Sequence, residues 1–200
     1  MITSTIAAGI AFGGAAGFLL ILAVLHVLKP QLDPSWRLIS EYAIGRHGWL
    51  MSLAFVSLSA SCFALSFALG LSPGGVALVV VALGALGSAL FDADPTATPW
   101  MSQTDIGRLH TVFATLFVLG FPPATTIVGW TLSGGQTPAS GQLLAWISLI
   151  VWAGFLLFIG SIIFYGAPKH RFGPQMRIGW QNRLMMVIYS TWLMIVAWKG

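Results

Sequence analysis

Long apolar runs dominate this sequence and restrict its fold more than any other feature. The first run covers residues 5–28 and has 24 residues without a charged side chain. A helix needs about 20 apolar residues to cross the hydrocarbon core of a bilayer. Six apolar runs can be recognised, at residues 5–28, 49–70, 75–92, 106–131, 142–166 and 181–198. The pattern predicts an all-α, polytopic transmembrane bundle of about six helices, in a single domain covering residues 1–200.

The scarcity of charge supports the same fold class. Only 7% of the residues are charged, against roughly 25% in soluble domains. The basic residues behind the net charge of +4 flank the apolar runs, where anionic lipid headgroups explain them better than nucleic acid does. Membrane lipids are therefore the expected partners, and no nucleic acid is expected.

Basic residues mark one face of the predicted bundle. The loops at residues 29–48, 92–105 and 167–180, with the adjoining span edges, contain all but one of the lysines and arginines. Lys199 alone lies on the other face. Because basic loops stay in the cytoplasm, we expect these odd-numbered loops to be cytoplasmic and both termini to be outside. The basic residues of the odd loops are Lys29, Arg37, Arg46, Arg108, Lys169, Arg171, Arg177 and Arg183.

Acids and histidines cluster on the same face, which the rule for basic residues does not require. The acids are Asp33, Glu41, Asp92, Asp94 and Asp105, and the histidines are His26, His47, His110 and His170. One interpretation is a polar site at the level of the cytoplasmic headgroups. The alternative is that charged groups avoid the membrane and that these loops are simply the longer ones.

The first loop contains a candidate short helix. Trp36, Ile39 and Ala43 have helical spacing, which is typical of a helix lying in the interface. Glu41 would then face either the headgroups or the bundle. As a functional residue, Glu41 is a base or a ligand; as a structural one, it is a surface partner of Arg37, four residues earlier.

The third span is predicted to end at Asp94, because Pro95 disfavours helix at the residue before it. Acids at a helix C-terminus oppose the helix dipole, so Asp92 and Asp94 need a positively charged partner. The candidates are a divalent cation, since an Asp-x-Asp pair can bind Mg²⁺, or one of the side chains of Arg46, Arg108 and Arg183.

The fourth span carries several local signals. Ser102 and Asp105 have the spacing of a helix capping box, and Asp105 can pair with Arg108. Pro122 and Pro123 interrupt the middle of the span and predict a kink.

His110 shares a face of the fourth span with the small residues Gly107 and Ala114, and such faces usually pack inward. It is either a hydrogen-bonded packing residue or, near Asp92 and Asp94, an acid, a base or a metal ligand.

The first span has a seam of small residues, Gly9, Gly13 and Gly17, that suggests packing against another helix, from a partner protein or a second copy. His26 lies near the end of the same span. Haem held between His26 and His110 is a further alternative, disfavoured because only two histidines suggest it.

Several short motifs resemble a bacterial family of small multi-span membrane proteins classed as a domain of unknown function. They are the segments Leu25-His26, Ser40-Glu41-Tyr42-Ala43, Gly48-Trp49-Leu50-Met51, Phe91-Asp92-Ala93-Asp94-Pro95, Gly107-Arg108-Leu109-His110 and Gly179-Trp180-Gln181-Asn182-Arg183. The resemblance implies six or so spans in a bacterial inner membrane, and it implies no activity.

The leading functional hypothesis is a polar site that binds or processes a lipid-like amphiphile. Its catalytic centre would consist of Glu41, Asp92, Asp94 and His110, with the two aspartates as candidate metal ligands. Its ligand-binding residues would be Arg46 and Arg183, which would hold an anionic headgroup, together with Asn182 and His26. The rival hypotheses are a non-enzymatic accessory or scaffold subunit and a small haem-binding redox protein.

Overall fold

The computed structural model describes residues 2–134, 139–166 and 173–199. This part of the chain contains six long helices and no strand, so the predicted all-α fold is confirmed. The long helices are α1 (Ile2–Leu28), α2 (Gly48–Leu69), α3 (Pro73–Leu90), α4 (Asp105–Leu132), α5 (Ala139–Gly166) and α6 (Gly179–Lys199). Short 3₁₀ helices occupy Ile39–Ala43, Trp100–Ser102 and Pro174–Met176.

Five helices, α1 to α5, are long and apolar enough to cross a membrane. Their most apolar segments have mean hydropathies between 1.7 and 2.5. The sixth helix is not among the five, because its first turn carries Gln181, Asn182 and Arg183. The protein is therefore a multi-pass membrane protein with at least five candidate spans.

The sixth helix nevertheless occupies the same layer as α1 and runs antiparallel to it. Near the start of α6, Arg183 is hydrogen-bonded to His26 at the end of α1. Near the end of α6, the Trp198 ring lies 6.4 Å from that of Phe12, in the first half of α1.

Consecutive helices pack side by side, and α6 closes the ring by packing against α1. Serine hydroxyls and glycines allow close approach: Ser61 donates to the carbonyl of Ala11 at 2.6 Å, and Ser59 donates to that of Ala82 at 2.9 Å. In the middle of the ring, Phe121 stacks on Tyr189 with ring centroids 4.2 Å apart and meets Trp192 edge-on. These aromatic side chains fill the centre of the bundle.

Two predicted helix boundaries were wrong. Helix α3 ends at Leu90, two residues before the end of the predicted span 75–92 and four before the predicted stop at Asp94, and Phe91 already has extended backbone. Ending the helix earlier removes both acids from its C-terminus, where they would oppose the dipole. The cap of α4 is Thr104, not Ser102: the Thr104 hydroxyl accepts from the Gly107 amide at 2.9 Å. The predicted pairing of Asp105 with Arg108 is confirmed, at 3.3 Å.

Helix α4 continues through Pro122 and Pro123 to Leu132. Pro122 has no N–H, so the carbonyl of Val118 one turn earlier loses its helical donor. The Tyr189 hydroxyl of α6 donates to that carbonyl at 3.1 Å. A side chain from a neighbouring helix thus replaces one missing backbone hydrogen bond.

Candidate functional site

A cavity of about 380 Å³ lies inside the ring at the end that carries the odd-numbered loops. Its size is within the range of small-molecule sites. Helices α2 to α6 and the first and third loops contribute to its wall. Apolar side chains form most of it, including Phe55, Phe117, Leu119, Phe158 and Met186. Its polar residues are Ser40, Ser88, Asp94, Thr96, Thr98, Gln103, His110, Thr111, Thr115 and Asn182.

His110 is the buried ionisable side chain of this wall, with 4% of its surface exposed. Its Nδ1 lies 2.8 Å from the carbonyl oxygen of Phe91. Because a carbonyl only accepts, we assign the proton to Nδ1. In the neutral ring Nε2 is then a hydrogen-bond acceptor, and it has no partner in the part of the chain that the structure describes. A buried polar atom without a partner is costly unless something else binds it.

Other polar atoms of the wall also have accepting capacity. Thr111 donates its hydroxyl hydrogen to the carbonyl of Gly107, and Ser88 donates to that of Gly84, each at 2.9 Å. Their oxygens remain able to accept. Gln103 also lines the cavity, and its Oε1 is buried without a partner among the described residues.

The cavity opens sideways, toward the surface that faces lipid. Thr115 and Leu119 of α4 line the cavity and are also exposed on the outside of the bundle, as is Ile159 of α5 in part. The hydrogen bonds between α4 and α5 lie in the other half of the bundle, from Ser148 and Trp152 of α5 to the threonines at positions 125 and 126.

A second opening faces the polar loops. Pro95 and Trp100 belong to the same wall, and both are exposed, Trp100 by 54%. Tryptophan is typical of the boundary between lipid and water. The cavity therefore has one opening between α4 and α5 and another among the polar loops.

A separate polar group lies between α1, α6 and the first loop. We call Arg183, His26, Tyr42 and Lys29 the arginine cluster. Arg183 is 5% exposed, and its Nε donates to His26 Nε2 at 2.7 Å. Its other donors contact the Tyr42 hydroxyl at 3.2 Å and backbone carbonyls, of which that of Arg37 is nearest at 2.8 Å.

The remaining atoms of the arginine cluster are also paired. His26 Nδ1 lies 2.7 Å from the Leu22 carbonyl, so both ring nitrogens of His26 are engaged. The Lys29 ammonium donates to the carbonyls of Tyr42 and Ile44 at 2.8 and 2.6 Å, and burial lowers its pKa. This cluster fastens the first loop to two helices. A haem ligand role for His26 would require breaking one of these bonds.

Glu41 is buried rather than a surface residue, with 1% exposure. Its predicted pairing with Arg37 is confirmed, and Arg37 Nη1 donates to Glu41 Oε1 at 3.0 Å. The Thr96 amide donates to the same oxygen at 2.6 Å, while Oε2 has no partner in the described ranges. The carboxylate joins the first loop to the third. It does not line the cavity.

The structure does not gather the four predicted catalytic residues around one point. Asp92 is exposed and outside the cavity wall, whereas Asp94 is half-buried and accepts from the Thr104 amide at 2.7 Å. The ion pairs predicted for Asp92 and Asp94 are absent from the described residues, where Arg37 with Glu41 and Arg108 with Asp105 are paired. No set of three metal-ligating side chains occurs in residues 2–134, 139–166 and 173–199.

The predicted ligand-binding residues also separate. Arg46 is exposed, and neither it nor Arg183 or His26 lines the cavity. Asn182 does line it, and its Oδ1 accepts from the Ile39 amide at 3.1 Å. Lys169, His170 and Arg171, which contributed to the predicted orientation, lie outside the described residues.

Two of the three glycines of the α1 seam, Gly9 and Gly13, face away from the bundle. A methyl group added at Gly9 or Gly13 would meet nothing within 4 Å, whereas one at Gly14 would meet the α2 backbone at Ser57. Packing within the chain therefore uses Gly14 and leaves Gly9 and Gly13 free, while a methyl group at Gly17 would meet the Ser57 hydroxyl at 4.0 Å.

Sequence reasoning missed Gln103, Thr111 and Thr115 as residues of the cavity wall. Thr111 and Thr115 are four residues apart, so they share a face of α4 close to that of His110. That polar pair in an apolar span could have indicated the cavity wall. Nothing in the sequence indicated Gln103, because it lies in a loop whose path the sequence does not define.

Five helices long enough to cross a membrane, closed into a ring by α6 around a cavity, define a multi-pass α-helical membrane protein. The chain belongs to the family described as Protein of unknown function (DUF998), whose model matches residues 12–199. No curated protein and no solved structure matches the chain.

Proposed function

We propose that this protein binds a lipid-like amphiphile in the cavity beside His110. The observation that carries the proposal is the buried, unpartnered Nε2 of His110 in the wall of an apolar cavity that opens to the bilayer. Such an acceptor needs a hydrogen-bond donor. A membrane ligand can supply the donor from its polar head, while its apolar tail contacts the apolar side chains of the wall.

The two openings support an amphiphile over a water-soluble ligand. A tail enters sideways between α4 and α5, past Leu119 and Ile159, without leaving the hydrocarbon. The head then lies near His110 and Asn182, below the polar loops. Burial of the tail contributes roughly 0.8 kcal/mol per methylene relative to water, but little relative to lipid, so the polar contacts determine selectivity.

The proposal concerns ligand binding and does not include catalysis. Glu41 and Asp92 do not line the cavity, so an acid–base centre shared by all four predicted residues lacks support. Glu41, Arg183 and Asp94 act as positioning residues, because each one fastens a loop that forms or flanks the wall.

A substitution that fills the cavity tests the proposal. Ala114→Phe places a ring in the wall, whereas Val112→Phe on the same helix places one on the exposed outer face. Both proteins are purified in mild detergent, and lipid is extracted and quantified by mass spectrometry per mole of protein. We expect Ala114→Phe to lose the co-purifying amphiphile and Val112→Phe to retain it.

Thermal unfolding of both variants separates a filled cavity from a damaged fold. Equal lipid content in the wild type and in a folded Ala114→Phe variant would contradict the proposal.

We further propose a bacterial inner-membrane location with the odd-numbered loops in the cytoplasm, on the basis of the basic residues in those loops. Arg46→Cys and Leu71→Cys place thiols at exposed positions of the first and second loops. The native Cys62 is buried and serves as a silent background. An impermeant maleimide should label position 71 in intact spheroplasts and position 46 only after lysis. The reverse pattern would overturn the orientation.

A scaffold role is the second candidate, and the outward-facing seam at Gly9 and Gly13 favours it. In this case the seam packs against a helix of a partner or of a second copy. The oligomeric state of a seam variant, given in the Discussion, tests this candidate independently of lipid binding.

A further inference from the structure

We infer that the ligand head is an uncharged hydroxyl, as in a long-chain alcohol or an acylglycerol, and not a phosphate. This inference rests on the proposed binding function and specifies the chemical class that the cavity selects. Three properties of the wall carry it: its unpartnered hydrogen-bond acceptors, the absence of lysine and arginine among its described residues, and the donors that it retains.

Acceptors without a donor lie at the polar end of the cavity. His110 Nε2 and Gln103 Oε1 are buried without partners in the described chain. The hydroxyls of Ser88 and Thr111 have already donated their hydrogens to backbone carbonyls, so their oxygens can only accept. A ligand that lacks a donor, such as an ether or an ester, leaves these atoms unpaired.

Among the residues that the structure describes, the cavity wall contains no lysine and no arginine. Its carboxylate, that of Asp94, is held by the amide and the hydroxyl of Thr104. A phosphate head would therefore enter an apolar site without a counter-charge and beside a carboxylate, and burial of an unpaired charge is strongly unfavourable. The nearby cations do not compensate, because the donors of Arg183 and Lys29 are directed to backbone carbonyls, His26 and Tyr42 outside the wall.

The donors that remain match a hydroxyl oxygen. Asn182 uses its Oδ1 for the Ile39 amide, which leaves its NH₂ group for the cavity. Thr96 accepts from the Leu38 amide at 3.2 Å and keeps its hydroxyl hydrogen. A hydroxyl head donates once and accepts twice, so it can donate to His110 and accept from one of these groups.

Four ligands with one chain and different heads test the inference: oleyl alcohol, oleyl methyl ether, oleyl phosphate and oleylamine. Native mass spectrometry of the full-length protein in detergent gives the Kd of each. The alcohol should bind at least about tenfold tighter than the methyl ether, as expected for a hydrogen bond to a buried acceptor. The phosphate should bind more weakly than the alcohol, because the described residues of the wall offer it no counter-charge.

Two substitutions assign the preference to one atom. Asn at position 110 reproduces the Nδ1 donor to Phe91 and deletes the Nε2 acceptor. Gln reproduces the Nε2 position and loses the Nδ1 donor. His110→Asn should bind the alcohol and the ether equally, and His110→Gln should retain the preference for the alcohol. The ratio is measured within one protein, so it does not depend on the yield of folded variant.

The outcomes separate this inference from the proposed function. If none of the four ligands binds the wild type, the proposed function fails. If they bind but the ether matches the alcohol, or a charged head binds tightest, the headgroup assignment is overturned and amphiphile binding stands. If His110→Asn retains the preference for the alcohol, His110 Nε2 is not the acceptor of the hydroxyl, and the inference is overturned.

Discussion

The arginine cluster and the His110 cavity lie at the same end of the bundle, and each contains a histidine. They differ in how their hydrogen bonds are satisfied. In the cluster, both ring nitrogens of His26 have partners, and Arg183 contacts an imidazole, a phenol and several carbonyls. In the cavity, His110 uses one nitrogen and leaves the other without a partner among the described residues. A saturated polar group holds a fold together, whereas an unsaturated one has capacity for a ligand.

The largest effect on stability should come from the arginine cluster. Arg183→Met removes a buried cation and leaves its carbonyl and imidazole partners unpaired. Hydrogen bonds to charged groups contribute about 1.5–3 kcal/mol each, so the free energy of unfolding should fall by at least about 3 kcal/mol. Chemical unfolding in detergent measures this loss. Arg46→Met at an exposed site is the control and should change stability by less than about 0.5 kcal/mol.

Glu41 joins the first loop to the third, and its removal should cause an intermediate loss of stability. Glu41→Ala leaves Arg37 and the half-buried Thr96 amide without their acceptor, and it should cost about 2–3 kcal/mol. Asp105→Ala removes the corresponding carboxylate of an exposed pair and should cost below about 1 kcal/mol. Equal losses would show that burial does not distinguish the two pairs.

The same substitution in both regions makes the comparison direct. His→Asn keeps the Nδ1 donor and deletes Nε2. At His26 it leaves the Arg183 Nε–H unpaired and should cost about 2 kcal/mol without changing lipid content. At His110 it deletes an atom that has no protein partner, so it should cost about 1 kcal/mol or less and reduce ligand binding about tenfold. Similar stability losses at both sites would contradict the distinction between a saturated polar cluster and an unsaturated ligand site.

The smallest effect should come from the seam of α1. Gly13→Leu points into open space, so the stability of the single chain should change by less than about 1 kcal/mol, helped by the better helix propensity of leucine. Size-exclusion chromatography with light scattering measures the mass of the protein. An unchanged mass rules against a second copy packed through the seam, and a fall to the monomer mass would support the scaffold candidate in its homo-oligomeric form.

Much of the fold could be predicted from the sequence, because the length and continuity of apolar runs determine which segments span a bilayer. The Arg37–Glu41 and Arg108–Asp105 pairs also followed from local spacing. The burial of Glu41 did not, since it depends on Thr96 in a distant segment. Among the candidate site residues, His110 was expected to face inward because small residues share its face, and it is buried. The separation of Asp92 and Arg183 from the cavity depends on how the loops fold over the ring, which no local pattern encodes.

The paired prolines of α4 have a consequence for access to the cavity. Two adjacent residues without N–H groups weaken the backbone ladder, and bends concentrate at such points. The segment before Pro122 forms one wall of the cavity, and the Tyr189 hydroxyl attaches it to α6 at Val118. This segment is therefore joined to the rest of α4 through a weakened turn, and the bond from Tyr189 holds it beside the side opening of the cavity.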